Sequence, residues 1–280
     1  MQIELKDFIP EQTFDCGQCF RWERCDDGSY VGVAGGRGVR ICAKESKVFI
    51  DGCDEKDYEA FWKRYLDADR DYEKIKKSIC INETMETAVS FGSGIRILRQ
   101  EFFEALISFI ISQRSSIPRI KTCVSRLCER FGDAIEFEGR TLYTFPTPER
   151  LASLTEADFA ALGVGYRASY IKCAVEMVLS GELNEEMLSQ ADTATARKEL
   201  MKVRGVGDKV CDCVLLFSLG KYDLFPSDVW IKRVMAESFG SGEAKLTGES
   251  IFGENSGFAQ QYLFYWRREN KLILSDAVKK

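Results

Sequence analysis

The sequence predicts an α+β fold: an N-terminal antiparallel sheet domain with flanking helices over residues 1–82, then a mostly helical region over residues 83–280. Two observations predict it. Up to Asp51 the chain alternates short β-compatible runs with turns rich in glycine and aspartate. From Asp54 onward its apolar residues recur near the 3.6-residue period of a helix. A length of 280 residues also exceeds what one hydrophobic core usually organises, which favours two or three subdomains.

The strands come first. Phe20 to Arg24, Ser29 to Val33, Gly38 to Ala43 and Lys47 to Asp51 are broken by Asp26-Asp27-Gly28 and Gly35-Gly36, a spacing that suits a meander. Tyr58, Phe61, Trp62 and Tyr65 then mark a helix over residues 54–66. Further helices are expected over 71–79, 84–91, 100–112, 117–131, 148–154, 156–162, 166–179, 184–189, 193–203, 208–219, 229–239 and 257–268. The segment 100–112 is apolar nearly all round yet shorter than the ~20 residues of a membrane span, so it reads as a buried central helix.

Composition narrows the chemistry. At 45% hydrophobic and 12% aromatic residues with 5 prolines, the chain is ordinary globular material and not a disordered or low-complexity sequence. Its 11 cysteines are odd in number and scattered, so they read as reduced thiols of an intracellular protein rather than a secreted disulfide framework. The first residues show no basic stretch followed by an apolar one, so neither a targeting segment nor membrane association is expected. There is no histidine, which excludes a Ser-His-Asp triad, a Cys-His pair and any histidine-ligated metal. Chemistry must rest on Lys, Asp, Glu, Cys or Tyr. The net charge of −5 argues against a non-specific nucleic-acid binder, but residues 197–233 carry eight basic and five acidic side chains, a basic window in an acidic chain.

That window holds Gly205-Val206-Gly207 between two expected helices. Glycines two apart permit a hairpin with positive φ and leave backbone N–H groups open to a phosphate at a helix N-terminus; a plain tight connection between helices uses the same residues. Lys209 follows in the first helical turn, where the helix dipole and apolar packing both disfavour positive charge and so favour the free, nucleophilic amine; a lysine there is also a simple phosphate-binding cation. Nineteen residues on, Asp228 opens the next helix after Leu224-Phe225-Pro226-Ser227. It suits an N-cap, and a carboxylate facing the lysine's chemistry is compatible with that role.

The run from Val203 to Cys213, continuing through Phe225-Pro226-Ser227-Asp228-Val229, resembles the helix-hairpin-helix, Gly/Pro-rich loop and aspartate motif of the DNA glycosylase superfamily, in its lysine-bearing bifunctional branch. Four further stretches resemble the 8-oxoguanine DNA glycosylases in the same order: Cys16 to Trp22, Ile95 to Gln100, Leu162 to Arg167 and Gly257 to Phe264. The resemblance implies a DNA repair enzyme that flips out and excises 8-oxoguanine opposite cytosine, then cleaves the abasic strand by β-elimination. It makes Lys209 the Schiff-base nucleophile and Asp228 the stabiliser of positive charge on the sugar. Gly17 would accept the N7 hydrogen of the oxidised base, Cys213 and Phe264 would sandwich it, and Gln260 would bind its Watson–Crick edge. Arg119 and Arg167 would read the orphaned cytosine with Tyr166 wedged beside it, while Gly205 and Gly207 would meet the DNA backbone.

The chain departs from that pattern in places. Gln113-Arg114-Ser115-Ser116 replaces a run of asparagines, which makes Arg114 the candidate to fill the hole left by the flipped base. Trp230 stands where a phosphate-binding histidine is usual, and Pro118 precedes Arg119. No cysteine follows Cys213, which disfavours the iron-sulfur branch. Cys16 and Cys19 have no second pair with zinc-like spacing, so no metal site is expected. The resemblance implies no required cofactor, a hairpin that admits a monovalent cation, and a monomer working on double-stranded DNA in the cytoplasm or nucleoid of a bacterium or the nucleus of a eukaryote. The catalytic motif spans 193–239, and a C-terminal helix over 257–268 closes the base pocket, so that Gly17, Phe264 and Lys209 are expected to line one cleft. The competing reading is a non-catalytic helix-hairpin-helix DNA-binding module, which needs the hairpin amides and a cation but not Lys209 together with Asp228.

Overall fold

The computed structural model describes residues 1–240 and 242–278, with side chains described through Asn270. The N-terminal part is a five-stranded antiparallel sheet of β1 (Gln2–Glu4), β2 (Trp22–Arg24), β3 (Tyr30–Ala34), β4 (Arg37–Lys44) and β5 (Lys47–Asp51), in the order β1-β5-β4-β3-β2. The expected meander is therefore present, with β1 added beyond β5. Register pairs Tyr30 with Ile41 and Ile41 with Ile50, so a row of buried apolar side chains crosses the central strands. This face packs on α1 (Pro10–Phe14) and α2 (55–65), where Phe14 stacks on Trp22 at 4.1 Å between ring centroids and Trp62 meets Trp22 edge-on at 6.2 Å.

The helical body follows as α3 (Tyr72–Ile79), α4 (Glu83–Phe91), α5 (Phe102–Ser112), α6 (Ile117–Phe131), α7 (Pro148–Leu151), α8 (Glu156–Phe159), α9 (Ala168–Leu179), α10 (Glu185–Gln190), α11 (Thr193–Leu200), α12 (Asp208–Val214), α13 (Val229–Phe239), α14 (Ala244–Phe252) and α15 (Ser256–Val278). As its composition requires, α5 is the central element, buried from Ala105 through Ile111. Among the described residues no helix is long and apolar enough to cross a membrane.

Besides β1 and α1, which were not expected, three features differ from the sequence reading. A hairpin of β6 (Ala134–Phe137) and β7 (Arg140–Tyr143) interrupts the helical region; its Phe137 seats on Gly38, where a β-carbon would lie 2.8 Å away, and Glu138 takes two 3.0 Å hydrogen bonds from Arg40 Nε. The helix α14 was not foreseen, because Gly248 depresses its propensity; that glycine is needed where the helix passes Phe225, 2.5 Å from any added β-carbon. Helix α15 also runs on to Val278, ten residues past the expected end at Arg268.

The two parts are joined by the extended segment 95–100. Buried Arg96 donates to the carbonyls of Lys6, Leu66, Asp67 and Arg70 and stacks on Tyr72 with its Cζ 4.0 Å from the ring centroid. Buried Gln18 bonds Arg96 O and receives Leu98 N–H, while Gln100 Nε2 donates to Gln18 O at 2.8 Å. These bonds fix the loop around Gly17 against the helical body.

Candidate active site

The hairpin joins α11 to α12. Gly205 has φ +82° and lies so close to Tyr170 that a β-carbon would stand 2.2 Å from the ring, so only glycine fits. Gly207 differs from the expectation of positive φ at both glycines: its backbone is extended (φ −98°, ψ −179°), and nothing approaches within 4 Å of a β-carbon built there. The turn therefore presses on the protein at Gly205 and opens outward at Gly207, the N-cap of α12.

Lys209 sits in the first turn of α12 with Nζ 5.2 Å from the centroid of the Phe109 ring on α5. One turn on lies Cys213, whose thiol burial pushes up to about 11 against the opposing pull of the Lys209 charge; the Asp228 carboxylate acts on the same thiol in the raising sense. Lys209 and Cys213 therefore share one face of α12. Asp228 holds its place as the N-cap of α13, Oδ1 accepting Ile231 N–H at 2.9 Å, after the buried turn Leu224-Phe225-Pro226. On the adjoining face of α12, fully buried Asp212 takes Arg197 Nε at 2.7 Å and Lys245 Nζ at 2.5 Å, and Arg197 also reaches Asp208 at 2.6 Å. These ion pairs fix the roll of the helix that carries Lys209.

The Gly17 loop approaches from the sheet domain. Asp15 O accepts from Arg268 Nη2 at 2.5 Å, Cys16 O from Gln261 Nε2 at 3.0 Å and Gln18 O from Gln100 Nε2 at 2.8 Å. Among the described residues the Gly17 carbonyl accepts no hydrogen bond, unlike those of Asp15, Cys16 and Gln18 around it. Gly17 has φ +89°, and a β-carbon on it would meet Arg268 Nη1 at 3.0 Å, Phe264 at 3.1 Å and Ile117 at 3.3 Å. Residues from both ends of the chain therefore meet here. Phe20, three residues on, packs edge-on against Phe109 at 5.8 Å, the ring over which Lys209 Nζ lies. Gln260 is buried on α15 with Oε1 lacking a partner, one turn before Phe264.

The residues expected to face DNA divide into two groups. Arg114 is exposed at φ +48°, a left-handed conformation unusual for a long side chain, at the turn between α5 and α6. Arg119 is exposed and donates to Gly163 O at 3.3 Å, and Tyr166 is 54% exposed at the second Gly-Val-Gly turn. Trp230 is half-buried beneath Arg233, whose Cζ is 5.6 Å from a ring centroid of the indole. Arg167 belongs to the other group: it is buried, donates to Val164 O at 3.0 Å and to Gln113 O, and packs under the Tyr166 ring. It clamps the second Gly-Val-Gly turn to the end of α5, and only Nε lacks a partner. Two residues were missed. Arg126, seven after Arg119 on α6, lines the same groove beside Gly163, and Arg268, four after Phe264 on α15, reaches Gly17. Helical spacing from residues already singled out was the available signal.

Comparison with known proteins bears on the family and the fold. Residues 1–106 match the family described as 8-oxoguanine DNA glycosylase, N-terminal domain, and residues 107–251 match the HhH-GPD superfamily of base excision DNA repair proteins. The structure of MBOgg1 in complex with a low-affinity DNA ligand superposes with a TM-score of 0.94 at 43% identity, covering 96% of both chains. That of a Clostridium acetobutylicum 8-oxoguanine glycosylase/lyase, in complex with double-stranded DNA containing cytosine opposite 8-oxoguanine, gives 0.93 at 40% identity over 97% of this chain and 98% of that one. The N-glycosylase/DNA lyase of Saccharomyces cerevisiae is 32% identical over 264 residues, 85% of this chain and 70% of its own. With a sheet domain that delivers Gly17 and a hairpin that delivers Lys209, the chain belongs to the 8-oxoguanine DNA glycosylase family of the helix-hairpin-helix base excision repair superfamily.

Proposed function

We propose that Lys209 is the nucleophile of this enzyme, a bifunctional 8-oxoguanine DNA N-glycosylase and abasic-site lyase, and that its substrate is the lesion opposite cytosine in duplex DNA. The lesion must leave the stack, because neither the sugar carbon nor the base edge is reachable within it. The Lys209 amine attacks C1′ and the bond to N9 breaks, its electron pair leaving with the base, which takes up a proton. The attached nitrogen gives up a proton and the C1′–O4′ bond opens, O4′ taking up a proton, which leaves an iminium that acidifies C2′; loss of that C2′ proton expels the 3′ phosphate oxygen and cuts the strand. Asp228 stabilises the positive charge that builds on the sugar. The placement of Lys209 in the first turn after the hairpin, its Nζ over the Phe109 ring that also packs on Phe20 of the Gly17 loop, supports this reading.

Discrimination falls to Gly17, whose unengaged carbonyl accepts the N7 hydrogen of 8-oxoguanine and meets a lone pair on guanine instead, a mismatch of roughly 1–3 kcal/mol. Phe264 and Cys213 stack on the base, and buried Gln260 takes its Watson–Crick edge. On the vacated side Arg114 fills the hole, Tyr166 wedges beside the cytosine, and Arg119 reads its acceptor edge; Arg167 joins once released from Gln113. The amides at Gly205 and Gly207 hold the phosphate backbone, with Trp230 packing on it. The open face at Gly207 also leaves room for a monovalent cation on the hairpin carbonyls, which would lower the charge of a bound phosphate. The enzyme works as a monomer, and the reaction needs no cofactor.

The test is borohydride trapping on a duplex with one 8-oxoguanine opposite cytosine. The wild type is expected to give a covalent adduct that vanishes in Lys209→Gln. Binding without an adduct would leave a recognition module.

A further inference from the structure

Helix α15 presents three residues at four-residue spacing, Gln260, Phe264 and Arg268, and therefore on one face. The first two are accounted for by the base pocket. Arg268 continues the stripe, and its guanidinium is fixed there from several sides. Nη2 donates to Asp15 O at 2.5 Å, Nε to Glu269 at 2.8 Å, and the group lies 5.5 Å from the centroid of the Phe264 ring and 5.7 Å from that of Tyr265. Nη1 is different. It is buried without a protein acceptor and stands 3.0 Å from where a β-carbon of Gly17 would be. A charged donor left in that state is costly unless something it serves arrives.

From this placement, and resting on the proposed reading of the pocket, we infer that Arg268 is a second lesion-reading residue, donating from Nη1 to the C8 carbonyl oxygen of 8-oxoguanine. N7–H and C8=O are neighbouring groups on the imidazolone ring, a donor beside an acceptor. Arg268 Nη1 stands at the Cα of the residue whose carbonyl is the acceptor, so Gly17 and Arg268 bring an acceptor and a donor to one place. The stripe along α15 runs the same way: Gln260 at the Watson–Crick edge, Phe264 over the ring face, and Arg268 two turns on, about 12 Å along the axis, at the imidazole edge. Guanine has hydrogen at C8 and gives this donor nothing. Damage is then read by two contacts of opposite polarity, and a lesion that satisfies both also neutralises an unpaired buried donor.

Arg268 also braces the Gly17 loop through Asp15, so the experiment must separate reading from bracing. Single-turnover rates are measured for wild type, Arg268→Ala and Arg268→Lys on duplexes carrying 8-oxoguanine, 8-thioguanine or a preformed abasic site opposite cytosine. The thio base keeps N7–H but offers sulfur, a weak acceptor. Arg268→Ala is expected to slow 8-oxoguanine excision about tenfold to a hundredfold, the worth of one charge-assisted hydrogen bond, with partial recovery in Arg268→Lys. Its effect on the 8-thioguanine duplex is expected to shrink to within about twofold, and abasic-strand cleavage to stay within about twofold. Equal losses on the oxo and thio bases would reduce Arg268 to a brace and overturn the inference, as would no loss on either. Failure of the wild type to excise 8-oxoguanine at all would instead remove the reading of the pocket, and this inference with it.

Discussion

Gly17 and Phe264, 247 positions apart in the chain, stand so close that a β-carbon on Gly17 would lie 3.1 Å from the phenyl ring. In the proposed reading, a flipped base entering beside Phe264 slides past that bare Cα. Gly17→Ala adds a methyl in the slot and holds an L-residue at φ +89°, a strain of about 1–2 kcal/mol. Excision of 8-oxoguanine is expected to fall by about tenfold or more, while cleavage of a preformed abasic site, which fills no base pocket, stays within about threefold. Single-turnover rates on the two duplexes check this, and parallel loss of both would point to a collapsed loop.

The two hairpin glycines are expected to fail in different ways. At Gly205 a methyl meets the Tyr170 ring at 2.2 Å and the backbone is left-handed, so Gly205→Ala is expected to cost about 1–3 kcal/mol of stability, read as a lowered thermal midpoint. Gly207 is extended and faces open space. Gly207→Ala is therefore expected to keep the wild-type midpoint and lose only affinity for duplex DNA, because in the proposed reading its methyl stands where a phosphate approaches α12. Matched midpoints for the two variants would refute the distinction.

Asp212 makes the third case, a carboxylate with 1% of its side chain exposed between Arg197 and Lys245. Asp212→Ala leaves two cations facing each other without their common partner. Removing one member of a buried ion pair typically costs about 3–5 kcal/mol, and denaturant unfolding should register that loss. Restoring shape without charge in Asp212→Asn is expected to recover only part of it. A cost below about 1 kcal/mol would mean the two cations find solvent unaided.

Much of this was legible in the sequence because it was local. The strand runs from Tyr30 to Asp51, the apolar α5 and the GVG-Asp-Lys hairpin each carry their signal within a dozen residues. The β6–β7 hairpin was hidden because its turn, Glu138-Gly139, is a weak hairpin signal and its Phe137 is ordered by distant Gly38. Residues at the site divide the same way. Lys209 and Asp228 carry their signal in a motif, whereas helical spacing from Phe264 singles out Arg268 but does not convey its approach to Gly17, 251 positions away. The burial of Arg167 under Tyr166 was illegible for the same reason, since its partner Gln113 lies 54 positions away.

The free thiols give the last prediction, which concerns alkaline stability. Burial pushes the thiols of Cys16 and Cys213 up to about 11 and those of Cys128 and Cys211 to about 12, from 9.0 when unfolded. Each native thiol thus keeps a proton that the unfolded chain gives up above pH 9, so the unfolded state binds fewer protons and stability falls as pH rises. The contribution is complete below about pH 9 and is lost progressively toward pH 11–12, at about 1.4 kcal/mol per pH unit for each thiol. Unfolding by urea under reducing conditions at a series of pH values from 8 to about 10.5 measures the slope. Cys128→Ala, on α6 away from Lys209, is expected to lower stability at pH 8 by its lost packing yet flatten the decline above pH 9 by one proton's worth. An unchanged slope would show that this thiol ionises freely in the native state.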